Sequence, residues 1–309
     1  MILFVSGRCD IPAFFSNWFF HRLDAGFVDV RNPFNPHQIS RIPLKESTID
    51  VIIFCTKNPI PMLPRLHEIP FPYIFHITLT PYHKDIEKSV ANKKDIIEAI
   101  KTMSNQIGKD RVIVRYDPIL LNEVYTIDYH TRAFQRMCEQ LHSHIHTIII
   151  SFVDMYKNTK TNMGKMKLQE ISEQDMMEIG KRFGMIADRY HMKVQTCAEQ
   201  IDLRAYGIRQ GECMNLEDIS KAIGHTFEPP KGKGVRNQLC GCLASVDIGD
   251  YNCCPHECLY CYANYDAKRI HERVLLHDEH SSVLLGHIEA MDHITIREDK
   301  KVKQEKMIL

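Results

Sequence analysis

Cys254, Cys258 and Cys261 form a C-x3-C-x2-C triplet inside the run CGCLASVDIGDYNCCPHECLYCYAN, residues 240–264. Three thiolates this close in sequence can converge on one soft cation or on an inorganic cluster. A regular helix or strand would point them apart, so the segment reads as a loop wrapped around iron and sulfur. A zinc finger would instead show C-x2-4-C pairs followed by a second pair or by histidines. Three ligands leave one iron of a four-iron cubane without a protein donor, open to a small molecule. Cys197, Cys213, Cys240 and Cys242 supply four more thiolates. They form a candidate second site for zinc or an auxiliary iron–sulfur cluster, with Gly241 letting the Cys240–Cys242 turn tighten. The alternative for these four is a set of reduced thiols packed as small apolar groups. Cys138, on the apolar face of a helix, and Cys55, at the end of an apolar strand, read as core.

These cysteines must be positioned by an ordered framework, and the chain supplies one. Apolar runs at 2–6, 50–56, 72–80, 111–118, 146–154 and 192–199 read as six buried strands. Helical periodicity fills the intervals at 13–23, 92–105 and 128–141, and after Ser172. There Ser172-x-x-Asp175 forms a capping box, and Met176, Ile179, Phe183 and Ile186 make the buried stripe. Strand–helix alternation predicts a parallel sheet covered by helices, in an α/β fold. The expected organisation is a strand–helix unit over 1–226, a cysteine-rich cluster-binding segment over 227–265, and a helical or partly disordered extension over 266–309. Within it, FEPPKGKGVRNQL at 227–239 reads as a mobile connection and the charged tail 297–309 as disordered.

In parallel α/β barrels the reacting groups come from the C-terminal ends of strands. Here those ends are polar: Ser6 to Asp10, Thr56 to Asn58, Thr78 to Thr80, Arg115 to Asp117, Ser151 to Asp154 and Cys197 to Glu199. The set predicts one shared pocket, with Asp10, Lys57, Arg115, Asp117, Asp154 and Glu199 as candidate catalytic residues. Lys57 and Arg115 suit a carboxylate or phosphate; Asp117, Asp154 and Glu199 suit ribose hydroxyls or an amine. Taken one at a time, such residues are polar simply because strand-to-helix loops face water. Alternation of His142, His144 and His146 is the chance outcome of a histidine-rich chain. Phe14, Phe15, Trp18, Phe19 and Phe20 fall at helical spacing and read as core rather than as a nucleic-acid stacking surface.

CPHECLYC resembles the C-x3-C-x-aromatic-C signature of the radical S-adenosylmethionine superfamily. The wider cysteine run, with FCTKNP at 54–59 and RYDPIL at 115–120, resembles a bacterial family called domain of unknown function 1848, described as carrying such a cluster near its C-terminus. This resemblance implies a partial (β/α)6 barrel, radical-SAM-like, holding a 4Fe-4S cluster and S-adenosyl-L-methionine. It implies that the methionine derivative is cleaved to a 5′-deoxyadenosyl radical that takes hydrogen from a substrate. Tyr260, Thr78, Thr80 and Arg115 are the expected contacts to that cofactor. The superfamily's cysteine loop normally follows the first strand. Here the triplet comes near the end of the chain, so the C-terminal region must supply the loop and fold back over the strand tips.

Lys and Arg total 39, as do Asp and Glu, so no global basic field draws in nucleic acid. No run approaches a membrane span, and the N-terminus lacks a signal-peptide pattern, which with the many cysteines points to a reducing, cytoplasmic setting. The expected partners are S-adenosylmethionine, an unidentified substrate and an electron donor such as a flavodoxin or ferredoxin. Two other readings remain open: an iron–sulfur electron carrier or structural protein, its cluster closed by Cys253 or Cys240, and a zinc protein that recognises nucleic acid.

Overall fold

The computed structural model describes residues 1–154, 159–230 and 240–297. Most of the connection expected at 227–239 and the tail beyond 297 therefore lie outside the described residues.

The strands and helices in chain order are β1 (Ile2–Val5), α1 (Ile11–Phe14), α2 (Ser16–Ala25), β2 (Phe27–Arg31), β3 (Gln38–Pro43), β4 (Val51–Thr56), β5 (Tyr73–Thr78), α3 (Lys93–Ile107), β6 (Val112–Ile119), α4 (Ile127–Leu141), β7 (Thr147–Phe152), α5 (Lys160–Lys165), α6 (Glu173–Arg189), β8 (Lys193–Cys197), β9 (Ile208–Gly211), α7 (Leu216–Ile223), β10 (Ser245–Asp247), α8 (Ala267–Val274) and β11 (His293–Ile296). A nine-residue 3-10 helix, Ile60–Glu68, replaces an α-helix between β4 and β5; Pro64 inside it blocks a regular α-helical turn.

All six expected strands form, and they pair in chain order as β1-β4-β5-β6-β7-β8. The sheet is larger than the six strands expected. β9 extends it beyond β8, and β10, drawn from the cysteine-rich segment, extends it beyond β1. All eight strands are parallel. The two extra strands escape a sequence reading because one, IRQG, is polar and the other has only three residues. Eight strands laid flat would span about 34 Å. Yet Leu243 N–H, two residues before β10, donates to the Met214 carbonyl, three residues after β9, at 2.9 Å. The sheet must curl to bring its edges that close.

Side chains alternate across each strand, and this sorts the sheet into two faces. Leu3, Val5, Ile52, Phe54, Phe75, Ile77, Val114, Tyr116, Ile148, Ile150 and Val194 join the large core under the surrounding helices. That core also holds Ile96, Ile100 and Met103 of α3, Phe134, Met137 and Cys138 of α4, and Ile179 and Phe183 of α6. The capping box at Ser172 and Asp175 starts α6. The inner face is split along the strands. Near their N-terminal ends Ile2, Val51, Ile53, Ile74 and Ile149 pack with Ile219 and Ile223 of α7, which stops that end. Toward the C-terminal ends the same face turns polar.

The predicted 13–23 helix is two pieces: Asp10 caps α1, and Phe15, at φ −131°, breaks the run before α2. Phe15, Trp18, Phe19 and Phe20 are core, while Phe14 stays half-exposed. β2 and β3 belong to a second sheet, ordered β11-β3-β2. Through residue 297 the C-terminal extension is therefore structured. It carries α8 and β11, and Ser281 accepts a hydrogen bond from the buried Trp18 indole at 2.9 Å. No helix among the described residues is long and apolar enough to cross a membrane.

Candidate metal centre

The polar ends of the parallel strands open into a cavity of about 680 Å³. The triplet thiols, Cys254, Cys258 and Cys261, line it together with Asp10, Lys57, Thr78, Arg115, Asp117, Asp154 and Glu199. The cysteine loop thus lies over the strand tips.

Three carboxylates and one amide hold the loop there, through contacts that reach across the chain. Asp10 accepts hydrogen bonds from Thr56 Oγ1 at 2.6 Å and the Lys57 backbone N–H at 2.7 Å, and its Oδ2 meets His256 Nε2 at 2.8 Å. His256 is the residue two after Cys254, so Asp10 ties the loop to the end of β4. Glu87 accepts from Lys57 Nζ at 2.7 Å and Thr80 Oγ1 at 2.6 Å, and also from Lys93 and the Tyr260 hydroxyl. Burial alone would raise the Glu87 pKa, but the two ammonium groups outweigh it and hold the carboxyl down to about 2. The backbone adds a bridge between Glu87 and Cys258, with Leu259 N–H donating to the Ile86 carbonyl at 3.0 Å. Asp247, at the end of β10, accepts from Ser6 Oγ at 2.7 Å and Gly7 N–H at 2.8 Å. Asn264 Oδ1 accepts from the backbone N–H groups of Cys253 and Cys254 at 2.8 and 2.9 Å, while its amide donates to the Arg8 carbonyl at 2.7 Å.

Several sequence candidates are placed in the cavity but already paired. Arg115 and Asp117 form a buried ion pair, Nε to Oδ2 at 3.1 Å; burial would depress Arg115, yet Asp117 holds it well above its ordinary value. Lys57 pairs with Glu87, which it shares with Lys93. Lys57 and Arg115, expected to hold a carboxylate or phosphate, each have a carboxylate partner within the chain, as buried cations require. The hydroxyls of Thr80 and Tyr260 are engaged by Glu87, whereas Thr78 lines the cavity. Glu199 accepts from the Phe152 N–H at 2.8 Å, and burial raises its pKa to about 7. Cys55, expected in the core, is half-buried and lines the cavity, because it shares the inner face with Arg115 and Cys197.

The second group of cysteines also reaches the cavity. Cys197, Cys213 and Cys242 bring their Sγ atoms within 4.8 Å of one another, with Cys213 and Cys242 3.4 Å apart. This cysteine cluster could bind a metal. Cys240 lines the cavity without joining the tight group. Cys254, Cys258 and Cys261 do not draw together to that spacing. Burial raises the pKa of the Cys254 and Cys258 thiols. In the tight group, hydrogen bonds from Cys197 and Cys242, aided by Arg115, lower that of Cys213, while bonds to Cys197 and Cys213 raise that of Cys242. Cys253, the residue best placed in sequence to close a fourth corner, is buried outside the cavity lining, with its Sγ on the Asp250 carbonyl at 3.2 Å. His142, His144 and His146 enter no ligand group among the described residues.

Glu87, His256, Asn264 and Asp247 escaped the sequence reading. Only His256 carried a signal, its place inside the triplet; the others act across the fold.

The chain belongs to the family described as Domain of unknown function (DUF1848), whose model matches residues 2–263. No curated protein matches the chain significantly. Among solved structures it is similar to the crystal structure of a candidate alpha-L-fucosidase from Bacteroides thetaiotaomicron VPI-5482, at 11% identity, covering 57% of this chain and 72% of that one, with a TM-score of 0.28. A likeness that weak carries no argument.

Proposed function

We propose that this protein is a radical S-adenosylmethionine enzyme, with Cys254, Cys258 and Cys261 holding a 4Fe-4S cluster at the rim of a partial (β/α)6 barrel extended by β9 and β10. One observation carries the reading: the three thiols line the same cavity as the C-terminal tips of the parallel strands. The residues present fit the group. The three triplet thiols do not all fall within 4.8 Å of one another, which is compatible with thiolates on separate irons. Cys253 turns away, which favours an open fourth corner over a closed electron-transfer cluster. His256 Nδ1 is buried beside the triplet with no hydrogen-bond partner, an atom free to engage a cluster sulfur or its ligand. The curl of the sheet and its six sequential strands support the barrel.

When bound, the cluster and S-adenosylmethionine supply one-electron cleavage of the sulfonium and a 5′-deoxyadenosyl radical able to abstract hydrogen. The chain's own part is to hold and enclose. Asp10, Glu87 and Asn264 fix the loop over the strand tips. Glu199, with its pKa near neutrality, can hold or release a proton at the cavity wall. Electrons come from a flavodoxin- or ferredoxin-class donor.

Anaerobic reconstitution tests the reading. With S-adenosylmethionine and dithionite, 5′-deoxyadenosine should accumulate, and Cys258→Ala should abolish it. A reconstituted chain that carries iron and sulfide but whose spectrum ignores S-adenosylmethionine would sink the proposal.

A further inference from the structure

We infer that Cys197, Cys213 and Cys242 form a second metal site that takes a single zinc-class ion, with its fourth position open to the cavity for a nitrogen or sulfur donor of the bound molecule. This inference does not rest on the cluster reading at the triplet.

Spacing selects the ion. A zinc–thiolate bond of about 2.3 Å in tetrahedral geometry sets the sulfurs about 3.8 Å apart. The three Sγ atoms all lie within 4.8 Å of one another, and the Cys213–Cys242 pair, at 3.4 Å, is close to that value. Thiolates at separate corners of a cubane stand further apart, so the tight group suits one ion and the triplet does not.

The fold builds the group from three distant places. Alternation along β8 turns Cys197 to the inner face at the strand's end. β9 pairs with β8 so that Gly211 lies opposite Cys197, and the chain then delivers Cys213 beside it. The hydrogen bond from Leu243 to Met214 brings Cys242 to Cys213. All three thiols line the cavity. Thiols are weak hydrogen-bonding groups, so their mutual contacts alone give little reason for three to meet in a polar cavity. Three thiolates on a divalent cation leave one negative charge, beside the Arg115–Asp117 pair, whose guanidinium interacts with Cys213. Cys240 stays outside the tight group, and the three thiols line the cavity, so the fourth position is assigned to a donor from that cavity. A donor atom from the bound molecule would fill it, as at three-ligand zinc centres that keep one position for substrate.

The test uses the full chain carrying Cys254→Ser, Cys258→Ser and Cys261→Ser together, so that failure of the cluster reading cannot affect it. This variant should bind one zinc per chain. Cobalt substitution should give tetrahedral d–d bands with sulfur-to-metal charge transfer, and added imidazole should shift those bands. Adding Cys213→Ser should weaken zinc binding about tenfold or more; Cys240→Ser should leave the stoichiometry unchanged. If the Cys213 variant does not fold, the cobalt spectrum of the folded triple variant decides. No bound metal, iron with sulfide at this site, a Cys213–Cys242 disulfide in the purified chain, insensitivity to imidazole, or loss of zinc with Cys240→Ser would each overturn the inference.

Discussion

Two groups of three cysteines share one cavity, and they are built in opposite ways. Cys254, Cys258 and Cys261 lie within a single loop; the fold has only to anchor that loop, which it does through Asp10, Glu87, Asn264 and Asp247. Cys197, Cys213 and Cys242 come from three segments, and strand pairing assembles them. The first group is wide, and the second closes to a radius suited to one ion. Compactness in sequence therefore does not imply compactness in space. The loop leaves its thiols apart, while adjacent strand ends crowd theirs.

Breaking the anchors separates the two groups, and Glu87 should have the largest effect. Glu87→Gln leaves Lys57 and Lys93 close together without their counter-charge, which should cost about 3–5 kcal/mol in urea unfolding. It should also release iron from the loop while zinc at the strand-end group stays. The acid dependence follows from the same residue. Its folded pKa, about 2, lies below the unfolded value, so its contribution is present above pH ~4.5 and is lost as pH falls toward 2. The wild-type chain should therefore lose about 3 kcal/mol across that window from this group, and Glu87→Gln should lose none of it.

Asn264→Ala comes next. It strands two buried backbone N–H groups and the Arg8 carbonyl, for a loss of about 2–4 kcal/mol and a matching fall in iron content after anaerobic reconstitution. Equal loss of zinc and iron in this variant would show that the two groups are not separately anchored.

Thiol reactivity sharpens the contrast further. In the metal-free chain at neutral pH, iodoacetamide followed by mass spectrometry should label Cys213 before Cys254 and Cys258. Neighbouring thiols and Arg115 favour the Cys213 thiolate, whereas burial keeps the other two protonated. Simultaneous labelling of all three would remove the electrostatic distinction.

The smallest effect belongs to Tyr260→Phe. It removes one hydrogen bond to Glu87 and should cost about 1 kcal/mol by urea titration, with zinc binding untouched.

Much of this architecture was legible from residue order, and particular elements show why. VIIFCT, TIIISF and their like announce buried parallel strands because nothing but a two-sided interior accepts such runs. Helix periodicity placed Ile96, Ile100, Phe134 and Phe183 in the core correctly. β9 and β10 were not legible: four polar-flanked residues and three residues become strands only because β8 and β1 offer them unpaired edges. Lys57 and Arg115 looked like free cations because their carboxylate partners could not be assigned before folding. Asp117 is two residues from Arg115, a spacing that names no pairing, and Glu87 reaches Lys57 only through the loop after β5.

The sequence by itself determined the strand–helix alternation, the polar strand tips and the three closely spaced thiols, since each depends on neighbours within a few residues. Tertiary structure alone decided that the loop sits over those tips, that Cys213 meets Cys197 and Cys242, and which charges are already matched. Those outcomes depend on hydrogen bonds and ion pairs between residues as far apart as Asp10 and His256, and such a contact has no signature until the chain between its ends has found its shape.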